Sequence, residues 1–393
     1  MTDDAPLLLD VTRLVWRRWN GRLPTGIDRV SLAYLRHFGP RAQAVVQWPG
    51  FRRILDVEAS QQLFALLENP GEAFKSSIIA GALRNIGHLR GEGRGRIYLN
   101  VGHTGLDQAG FRKWVRRASV RPVYLVHDLI PIVHPEFCRA GEADKHRERM
   151  RTVLTTAAGV IANSRATLDG LAAFAHAERL PNPPALAAWL GIDALPRSTE
   201  VEATAHPTFV TLGTIEARKN HLLLLSVWSR LIDEMGASAP RLLIIGQRGW
   251  EADEVFDLLD HCGKLRGHVN ELSRCSDNEL ARHLASARAL LFPSRAEGYG
   301  LPLIEALSLG VPVIASDIPV FREVGGNIPL YVDPLDSSDW EAAIVDYSSD
   351  GSIARDEQLQ RIRSFRLPDW DSHFAAVEGW LRVLSDKSET DKH

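Results

Sequence analysis

The chain has 393 residues, of which 45% are hydrophobic and 24% charged, with three cysteines that are widely spaced. This ordinary globular composition excludes a disulfide framework and a cysteine-based metal site, so a reducing cytoplasm is the expected compartment. Residues 1–195 carry 26 Lys and Arg against 18 Asp and Glu, whereas residues 196–393 carry 20 against 31. The first half is therefore expected to meet an anionic partner, although no nucleic-acid-binding motif accompanies this charge.

In the first half, apolar runs of strand length alternate with amphipathic segments. Strands are predicted at 7–11, 96–102, 122–128 and 159–164, and helices at 27–38, 107–118 and 141–156. Short buried strands that alternate with helices are typical of a parallel sheet covered by helices. The N-terminus lacks the basic flank of a signal peptide, and no run approaches the ~20 apolar residues of a membrane span.

The alternation pauses at a polar segment, 196–207, which we interpret as a linker between an N-terminal domain (1–195) and a C-terminal domain (208–368). It then restarts, with strands predicted at 209–213, 241–246, 289–294 and 311–316, and helices at 220–235, 251–261, 302–309 and 369–384. The expected fold is α/β, with two doubly wound Rossmann-like domains facing across a cleft. Ligands of such sheets bind beyond the carboxyl ends of the strands, so the loops after the strands carry the chemistry.

The stretch "EGYGLPLIEALSLG" (297–310) follows a predicted buried strand. The glycines of Gly298-Tyr299-Gly300 let the backbone approach a ligand, and the free N–H groups of Leu303 and Ile304, with the helix dipole, favour an anion such as a diphosphate. Glu305 is expected in the first helical turn, where it accepts hydrogen bonds from sugar hydroxyls, and Glu297 points to the same space. A tight turn with a helix-start glutamate is the structural alternative.

The stretch "LGTIEARKN" (212–220) places Arg218 and Lys219 after a strand that ends at Gly213 and before a helix. Cations at a helix N-terminus are unfavourable unless an anion joins them, which predicts a bound diphosphate. A solvated pair of cations is the alternative.

Two further positions lie in loops after predicted strands of the first half. His127 ends the third strand, where it can donate a hydrogen bond to a substrate hydroxyl or act as a satisfied structural histidine. Gly26 opens a helix, where its backbone can approach a phosphate or an acceptor, but the sequence has no Gly-x-Gly-x-x-Gly dinucleotide fingerprint there.

Arg and Trp are mixed in "WRRWNGR" (16–22) and "FRKWVRRASVR" (111–121). This mixture fits a membrane interface or an anionic lipid-linked acceptor. It fits a solvated helix face with buried Trp equally well.

Together these stretches resemble the glycosyltransferases of family 4, on the GT-B fold. "EGYGLPLIEALSLGVPVIAS" resembles the Glu-x7-Glu region of that family, "LGTIEARKN" its strand and loop with the Arg-Lys pair, and "VHDLIPIVHPE" and "VIANSRAT" landmarks of its bacterial members. "TGIDRV" stands where many members have a second glycine, which is absent here. The resemblance implies that the last helix and tail, 369–393, cross back to the N-terminal domain.

The resemblance also implies roles for the residues that match its motifs. Glu297 would contact the hydroxyls of the donor sugar, Glu305 the ribose, and His127 the reacting sugar. Arg218 and Lys219 would hold the diphosphate. Gly298, Tyr299, Gly300 and Leu301 would bind the nucleotide sugar through their backbone N–H groups. Arg274, in the base-contacting loop 269–280, would contact the base. Gly213 and Gly26 are the other binding candidates. Glu297, His127 and Lys219 are the candidate catalytic residues.

The implied activity is retaining transfer of a hexose, with mannose from GDP-mannose as the leading donor, to a glycan or lipid-linked acceptor in surface polysaccharide synthesis. It implies no metal and no cofactor beyond the nucleoside-diphosphate sugar. We expect a cytoplasmic protein, at the cytoplasmic face of the inner membrane if the basic first half contacts it. A sugar-nucleotide epimerase of the same fold and a non-catalytic nucleotide-sugar-binding protein are the alternatives.

Overall fold

The structure, a computed structural model, describes residues 7–21, 25–48, 50–69, 71, 74–76, 78, 93–196 and 205–390. Most of the predicted linker and Arg22 of the first Arg/Trp stretch lie outside these residues. The chain forms two compact units: unit 1 comprises Met1–Leu129, Asp144–Gly191 and Trp370–His393, and unit 2 comprises Ile130–Ala143 and Ile192–Asp369. The final helix therefore belongs to unit 1, and a short segment from the first half of the chain belongs to unit 2.

Among the described residues of unit 1, the strands form one seven-stranded sheet in the order β3-β2-β1-β4-β5-β6-β7. The strands are β1 Leu7–Asp10, β2 Ala42–Trp48, β3 Phe51–Ile54, β4 Ile97–Asn100, β5 Arg121–Val126, β6 Gly159–Ala162 and β7 Ala185–Ala187. All neighbours are parallel except β2 and β3, which form an antiparallel hairpin. That hairpin was not predicted.

The helices described before the linker follow the predicted alternation with some additions. They are α1 Thr12–Trp19, α2 Gly26–Phe38, α3 Val57–Glu68, α4 Phe111–Ala118, α5 Ile130–Val133, α6 Glu142–Thr156 and α7 Arg165–Ala177. No helix was predicted at α1, which has no side-chain cap that would mark its start. By contrast, Ser164 Oγ accepts a hydrogen bond from the Thr167 N–H at 3.0 Å and begins α7.

Unit 2 contains a six-stranded sheet, wholly parallel, in the order β10-β9-β8-β11-β12-β13. Its strands are β8 Thr208–Leu212, β9 Arg241–Ile245, β10 Val269–Leu272, β11 Ala289–Phe292, β12 Val313–Ser316 and β13 Leu330–Val332. Because the strands are parallel, their carboxyl ends lie along one edge. The loop that precedes each following helix is therefore at that edge.

The helices after the linker cover this sheet in sequence. They are α8 His221–Met235, α9 Asp253–His261, α10 Asp277–Ala285, α11 Leu301–Ser308, α12 Pro319–Gly325, α13 Ser337–Ser348 and α14 Ile353–Ile362, and the final helix of unit 1 is α15 Trp370–Thr390. Segment 269–280, expected as a loop, contains β10 and the start of α10. Among the described residues, no helix is both long and apolar enough to span a membrane.

The core of unit 2 explains why these elements assemble. Residues of β8, β9 and β11 such as Phe209, Ile244 and Leu291 are fully buried against Trp228 of α8 and Trp340 of α13. Burying a large apolar side chain stabilises the fold by roughly 1.5–3 kcal/mol. The core therefore fixes α8 beside β8 and β11, and with it the loops at the carboxyl edge.

Candidate active site

The loop between β8 and α8 is held against two other strand ends by Asn220. This residue has a left-handed backbone, with φ of 59°, at the start of α8. Its side-chain amide donates to the carbonyl oxygens of Pro293 at 3.2 Å and Pro334 at 2.9 Å, just after β11 and β13. The Arg295 N–H also donates to the Arg218 carbonyl at 2.8 Å. These bonds join the two loops that carry the predicted donor-binding residues.

Four charged side chains meet where these loops join, and we call them the charge cluster: Glu216, Arg218, Lys219 and Glu297. Lys219 Nζ lies 2.5 Å from Glu297 Oε1, and Arg218 Nη1 lies 2.8 Å from the same oxygen. Arg218 Nε lies 2.6 Å from Glu216 Oε1. The structure thus brings together three predicted site residues and one, Glu216, that the sequence analysis passed over.

Burial sets the electrostatics of this cluster. The side chains of Lys219 and Glu297 are each 9% exposed, and that of Glu216 is 3% exposed. Burial alone raises the pKa of Glu297, but the charges of Arg218 and Lys219 outweigh it and lower the pKa to about 2. Burial lowers the pKa of Lys219 and raises the pKa of Glu216, against the opposing effect of their ion-pair partners. Glu297 is therefore ionised at neutral pH.

Two glycines allow the backbone to fit closely at this site. Gly213, which follows β8, has φ of 125°, and a Cβ there would lie 3.1 Å from Lys219 Cε. Gly300 precedes α11 with φ of 102°, and a Cβ there would lie 3.0 Å from the ring of Phe321. Both conformations are in the region that favours glycine.

The first turn of α11 differs from the expectation in two respects. The N–H groups of Leu303 and Ile304 are not free, because both point to the Gly300 carbonyl, at 3.0 and 3.4 Å. Glu305 is buried but lies beyond the first turn. Gly298, Tyr299 and Gly300 lie between Glu297 and the helix, and Leu301 is the first residue of α11.

Several buried polar atoms at this edge have no hydrogen-bond partner among the described residues. They are Glu216 Oε2, both ring nitrogens of His221, Ser294 Oγ and Ser316 Oγ. Buried polar groups are normally satisfied, and exceptions concentrate at functional sites. The sequence offered signals for two residues that were missed: Asn220 is an Asn directly before an apolar helix, and Glu216 stands two residues before the Arg-Lys pair.

The remaining donor-side candidate, Arg274, is exposed in the short connection between β10 and α10. It lies at the carboxyl end of an edge strand, three strands along the sheet from β11. The structure does not bring it into the charge cluster.

In unit 1, His127 follows β5 and is buried, with 5% of its surface exposed. Its Nε2 lies 2.7 Å from the Val101 carbonyl oxygen. Because a carbonyl only accepts, Nε2 carries the proton and Nδ1 is an acceptor. Burial lowers the pKa of His127 to about 4, so the ring is neutral at physiological pH. It offers an acceptor at Nδ1 rather than the donor expected from the sequence.

Gly26 is the first residue of α2, and the helix start is already occupied by a carboxylate. Asp28 accepts from the N–H and the hydroxyl of Thr25, each at 2.7 Å, and pairs with Arg13 at 2.7 Å and Arg17 at 3.0 Å. Arg13 and Asp28 also interact electrostatically with His127. The loop that carries Gly26 therefore lies near His127, and its helix dipole is countered by Asp28.

Metal-binding groups and cavities were also compared with the positions of these residues. Across the described part of the chain, no three His, Cys, Asp or Glu side chains are grouped to hold a metal ion. A cavity of about 320 Å³ is lined by residues that include His206, Thr208 and Arg241, at the amino ends of β8 and β9. It is at the edge of the sheet opposite the charge cluster and contains no candidate residue.

Residues 206–350 match the family described as glycosyl transferases group 1. Unit 2 carries a group 1 glycosyltransferase domain. The match covers the whole charge cluster and both glycines, and it confirms the resemblance to family 4 stated from the sequence.

Similar proteins extend this finding. The chain is 31% identical over 249 residues to the serotype-specific mannosyltransferase WbdA of Escherichia coli, an alignment that covers 59% of this chain and 30% of WbdA. It is 38% identical over 157 residues to the O-antigen chain mannosyltransferase B of Escherichia coli, covering 39% of this chain and 41% of that protein. The chain thus spans less than half of the length of these relatives.

The fold is shared across a greater length. Anabaena Alr3699/HepE, solved in complex with UDP and glucose, matches 96% of this chain and 99% of its own with a TM-score of 0.67 at 15% identity. The sucrose-phosphate synthase of Thermosynechococcus elongatus matches 96% of this chain and 98% of its own with a TM-score of 0.59, also at 15% identity. The predicted GT-B fold, with two Rossmann-like domains, is confirmed.

Proposed function

We propose that the chain is a retaining glycosyltransferase that moves a hexose from a nucleoside-diphosphate sugar to a glycan or lipid-linked acceptor. The observation that carries this proposal is the charge cluster. Two cations, Arg218 and Lys219, stand before one helix, and Glu297 stands before a second, at the shared carboxyl edge of β8 and β11. The group 1 glycosyltransferase match covers the same residues.

The cluster suits the charge that develops during transfer. The bond between the anomeric carbon and the phosphate oxygen breaks, and its electrons leave with the diphosphate. An acceptor hydroxyl oxygen forms the new bond to the anomeric carbon, and its proton passes to the departing diphosphate. Fixed cations and helix N-termini stabilise such a leaving group in a site of low dielectric. Arg218 and Lys219 would hold the diphosphate, together with the backbone amides from Gly298 to Leu301, so the proposal needs no metal.

Glu297 has two roles in this proposal. Without donor, its carboxylate neutralises Lys219 and Arg218, which would otherwise repel each other in a buried site. When a diphosphate takes over those cations, Glu297 becomes available to accept hydrogen bonds from the hydroxyls of the donor sugar. Glu305, buried one turn further along α11, would accept from the ribose.

In unit 1, the neutral imidazole of His127 would contact the reacting sugar. With Nε2 committed to the Val101 carbonyl, its Nδ1 can accept a hydrogen bond from a hydroxyl of the reacting sugar. Gly26 and the loop before α2 would lie on the acceptor side. Arg274 would contact the base of the nucleotide from the edge of unit 2.

Mannose is the proposed sugar and GDP-mannose the proposed donor, because the two Escherichia coli relatives are named mannosyltransferases, one of them for the O-antigen chain. By the same argument, the acceptor is a growing surface polysaccharide, and the enzyme works in the cytoplasm where such a chain is assembled. Peripheral contact with the inner membrane would bring it to a lipid-linked acceptor.

The proposal is tested by ligand binding and turnover. Thermal unfolding is measured with GDP, UDP, ADP and dTDP and their sugars, because a ligand that binds only the native state raises Tm. We expect stabilisation by GDP and GDP-mannose, and transfer of mannose to a mannosylated acceptor with retention at the anomeric carbon. Absence of any stabilisation by a nucleoside diphosphate would overturn the proposal.

Two other activities are separated by the same assays. A sugar-nucleotide epimerase would convert the donor to an isomer without any acceptor. A non-catalytic binding protein would show the rise in Tm without turnover over an acceptor panel. The match of residues 206–350, which include the whole charge cluster, to the glycosyl transferases group 1 family favours the transferase over both.

A further inference from the structure

Two tryptophans of unit 1 stack on each other at the surface. Trp16 lies on α1 and Trp48 ends β2, and their ring centroids are 4.9 Å apart with an angle of 19° between planes. Trp16 remains 40% exposed and Trp48 49% exposed. Tryptophan is usually buried over most of its surface, and exposed aromatic clusters commonly mark interaction sites.

The hairpin beside them extends this surface. Phe51 pairs directly with Trp48 across the antiparallel strands and is 43% exposed. Residues directly opposite each other in such a pair have side chains on the same face. The guanidinium of Arg53, two residues along β3, lies 4.6 Å from the Phe51 ring centroid. We call Trp16, Trp48, Phe51 and Arg53 the aromatic patch.

The patch lies at the edge of the sheet where ligands bind. β1 and β2 are parallel neighbours, so Trp48, at the end of β2, and α1, directly after β1, are at the carboxyl edge that also carries His127. On α1, Arg13 and Trp16 are three residues apart and therefore neighbours on the helix surface. Arg13 interacts electrostatically with His127. The patch is thus about one helical turn from Arg13, which interacts with the residue that we place beside the reacting sugar.

The chemistry of the patch suits a sugar ring. One face of a pyranose presents C–H groups that pack on an aromatic plane, while its hydroxyls point outward to hydrogen-bond donors such as a guanidinium. Stacking fixes the two indoles in place, so little side-chain entropy is lost when a ligand binds. A rigid aromatic surface with a cation at its margin is therefore a suitable platform for a carbohydrate.

A membrane surface fits the patch less well. Attraction to anionic lipid needs cations that are free to meet phosphate. Arg13 and Arg17, two cations of α1 close to Trp16 in sequence, are instead held by the buried carboxylate of Asp28. Both of these guanidiniums are therefore already paired with a carboxylate within the unit.

We propose that the aromatic patch is a subsite for the acceptor glycan, where it stacks on a sugar residue some way back from the one that is extended. This rests on the proposed function, since it assigns the acceptor of that reaction. The subsite would make a glycan of several residues a better acceptor than a monosaccharide.

The test measures binding and turnover separately. Variants Trp48→Ala and Trp48→Phe are compared with the wild type, and Val383→Ala, which trims an exposed apolar side chain on α15, is the control. Binding of manno-, gluco- and galacto-oligosaccharides of three to five residues is measured by calorimetry. We expect at least one series to bind, Trp48→Ala to weaken it by about tenfold or more, and Trp48→Phe and Val383→Ala to remain near wild type. In the transfer assay, Trp48→Ala should raise KM for the glycan acceptor relative to the wild type and leave KM for the donor unchanged.

The proposal would be overturned if no oligosaccharide binds the wild type, or if Trp48→Ala binds oligosaccharides as well as the wild type does. In the second case, loss of flotation of Trp48→Ala with phosphatidylglycerol-containing vesicles would assign the patch to a membrane surface. Stabilisation by nucleoside diphosphates is measured on the same samples. If the wild type responds to them and transfers sugar while Trp48→Ala behaves normally, the subsite alone is wrong. If the wild type responds to none, the proposed function itself fails.

Discussion

Lys219 and Glu297 form a buried ion pair, with Nζ 2.5 Å from Oε1, although they are 78 residues apart in the chain. Arg218 shares the same carboxylate oxygen. One carboxylate thus neutralises two cations that the proposed function assigns to a diphosphate. Competition between this carboxylate and an incoming anion for the same cations is the basis of the first prediction, and the ion pair itself is the basis of the second.

Replacing Glu297 by Gln should separate nucleotide binding from transfer. The variant loses the carboxylate that would accept hydrogen bonds from the donor sugar, so we expect the transfer rate to fall by about a hundredfold or more. It also loses the internal competitor for Arg218 and Lys219, so affinity for a nucleoside diphosphate should be retained or increased. Calorimetry with GDP and UDP, beside a transfer assay, measures both.

The matched control for this variant is Glu341→Gln, which removes a carboxylate paired with Arg230 elsewhere in unit 2. It should leave both transfer and nucleotide affinity unchanged. Normal turnover by the Glu297 variant would remove this residue from the catalytic site.

The stability of the protein should depend on Glu297 in acid. Its pKa is lowered to about 2 in the folded state, from an ordinary value of 4.5. A lowered pKa contributes stability that is present above pH 4.5 and is lost as the pH falls towards 2, and a shift of this size corresponds to about 3 kcal/mol. Wild type should exceed Glu297→Gln in free energy of unfolding at pH 6, and the gap should narrow as the pH falls from 5 to 2. Urea unfolding at several pH values tests this, and a gap that stays constant would contradict the assigned ion pair.

Glu216 should position Arg218 rather than contact substrate. Its carboxylate holds Arg218 Nε at 2.6 Å, while its second oxygen is buried without a partner among the described residues. Burial raises its pKa, so the ionised form is disfavoured in the fold. Glu216→Gln should therefore leave stability unchanged or increase it, yet weaken nucleoside-diphosphate binding by about tenfold through the loss of a charged hydrogen bond. A variant that loses stability and affinity together would indicate a purely structural role, and a variant with wild-type affinity would exclude the positioning role.

A side chain at Gly300 should destabilise the fold. With φ of 102°, an alanine there is strained, and its Cβ would lie 3.0 Å from the Phe321 ring. Gly310→Ala is the matched control, since Gly310 has φ of 79° but no atom within 4 Å of an added Cβ. Both should lose about 1 kcal/mol or more to backbone strain, and Gly300→Ala should lose more because the ring must also move. Equal losses in chemical unfolding would show that the Phe321 contact is unimportant.

Much of the fold could be predicted from local pattern. The predicted strands at 122–128 and 289–294 correspond to β5 and β11, because apolar runs of strand length identify buried parallel strands. The β2–β3 hairpin and α1 were missed. The hairpin lies in a stretch with weak periodicity, and α1 begins without a capping side chain.

The sequence by itself determined that the chain is α/β, that its strands are mainly parallel, and that Arg218, Lys219, Glu297 and His127 lie in loops after strands. Each of these follows from residue type and spacing over a few positions. Only the tertiary structure decided which of them meet. Lys219 pairs with Glu297, Glu216 holds Arg218, and Trp16 stacks on Trp48 because the sheet order brings distant strand ends to one edge. The protonation of His127 is likewise a tertiary property, since burial and the Val101 carbonyl, both set by packing, determine its tautomer and keep it neutral.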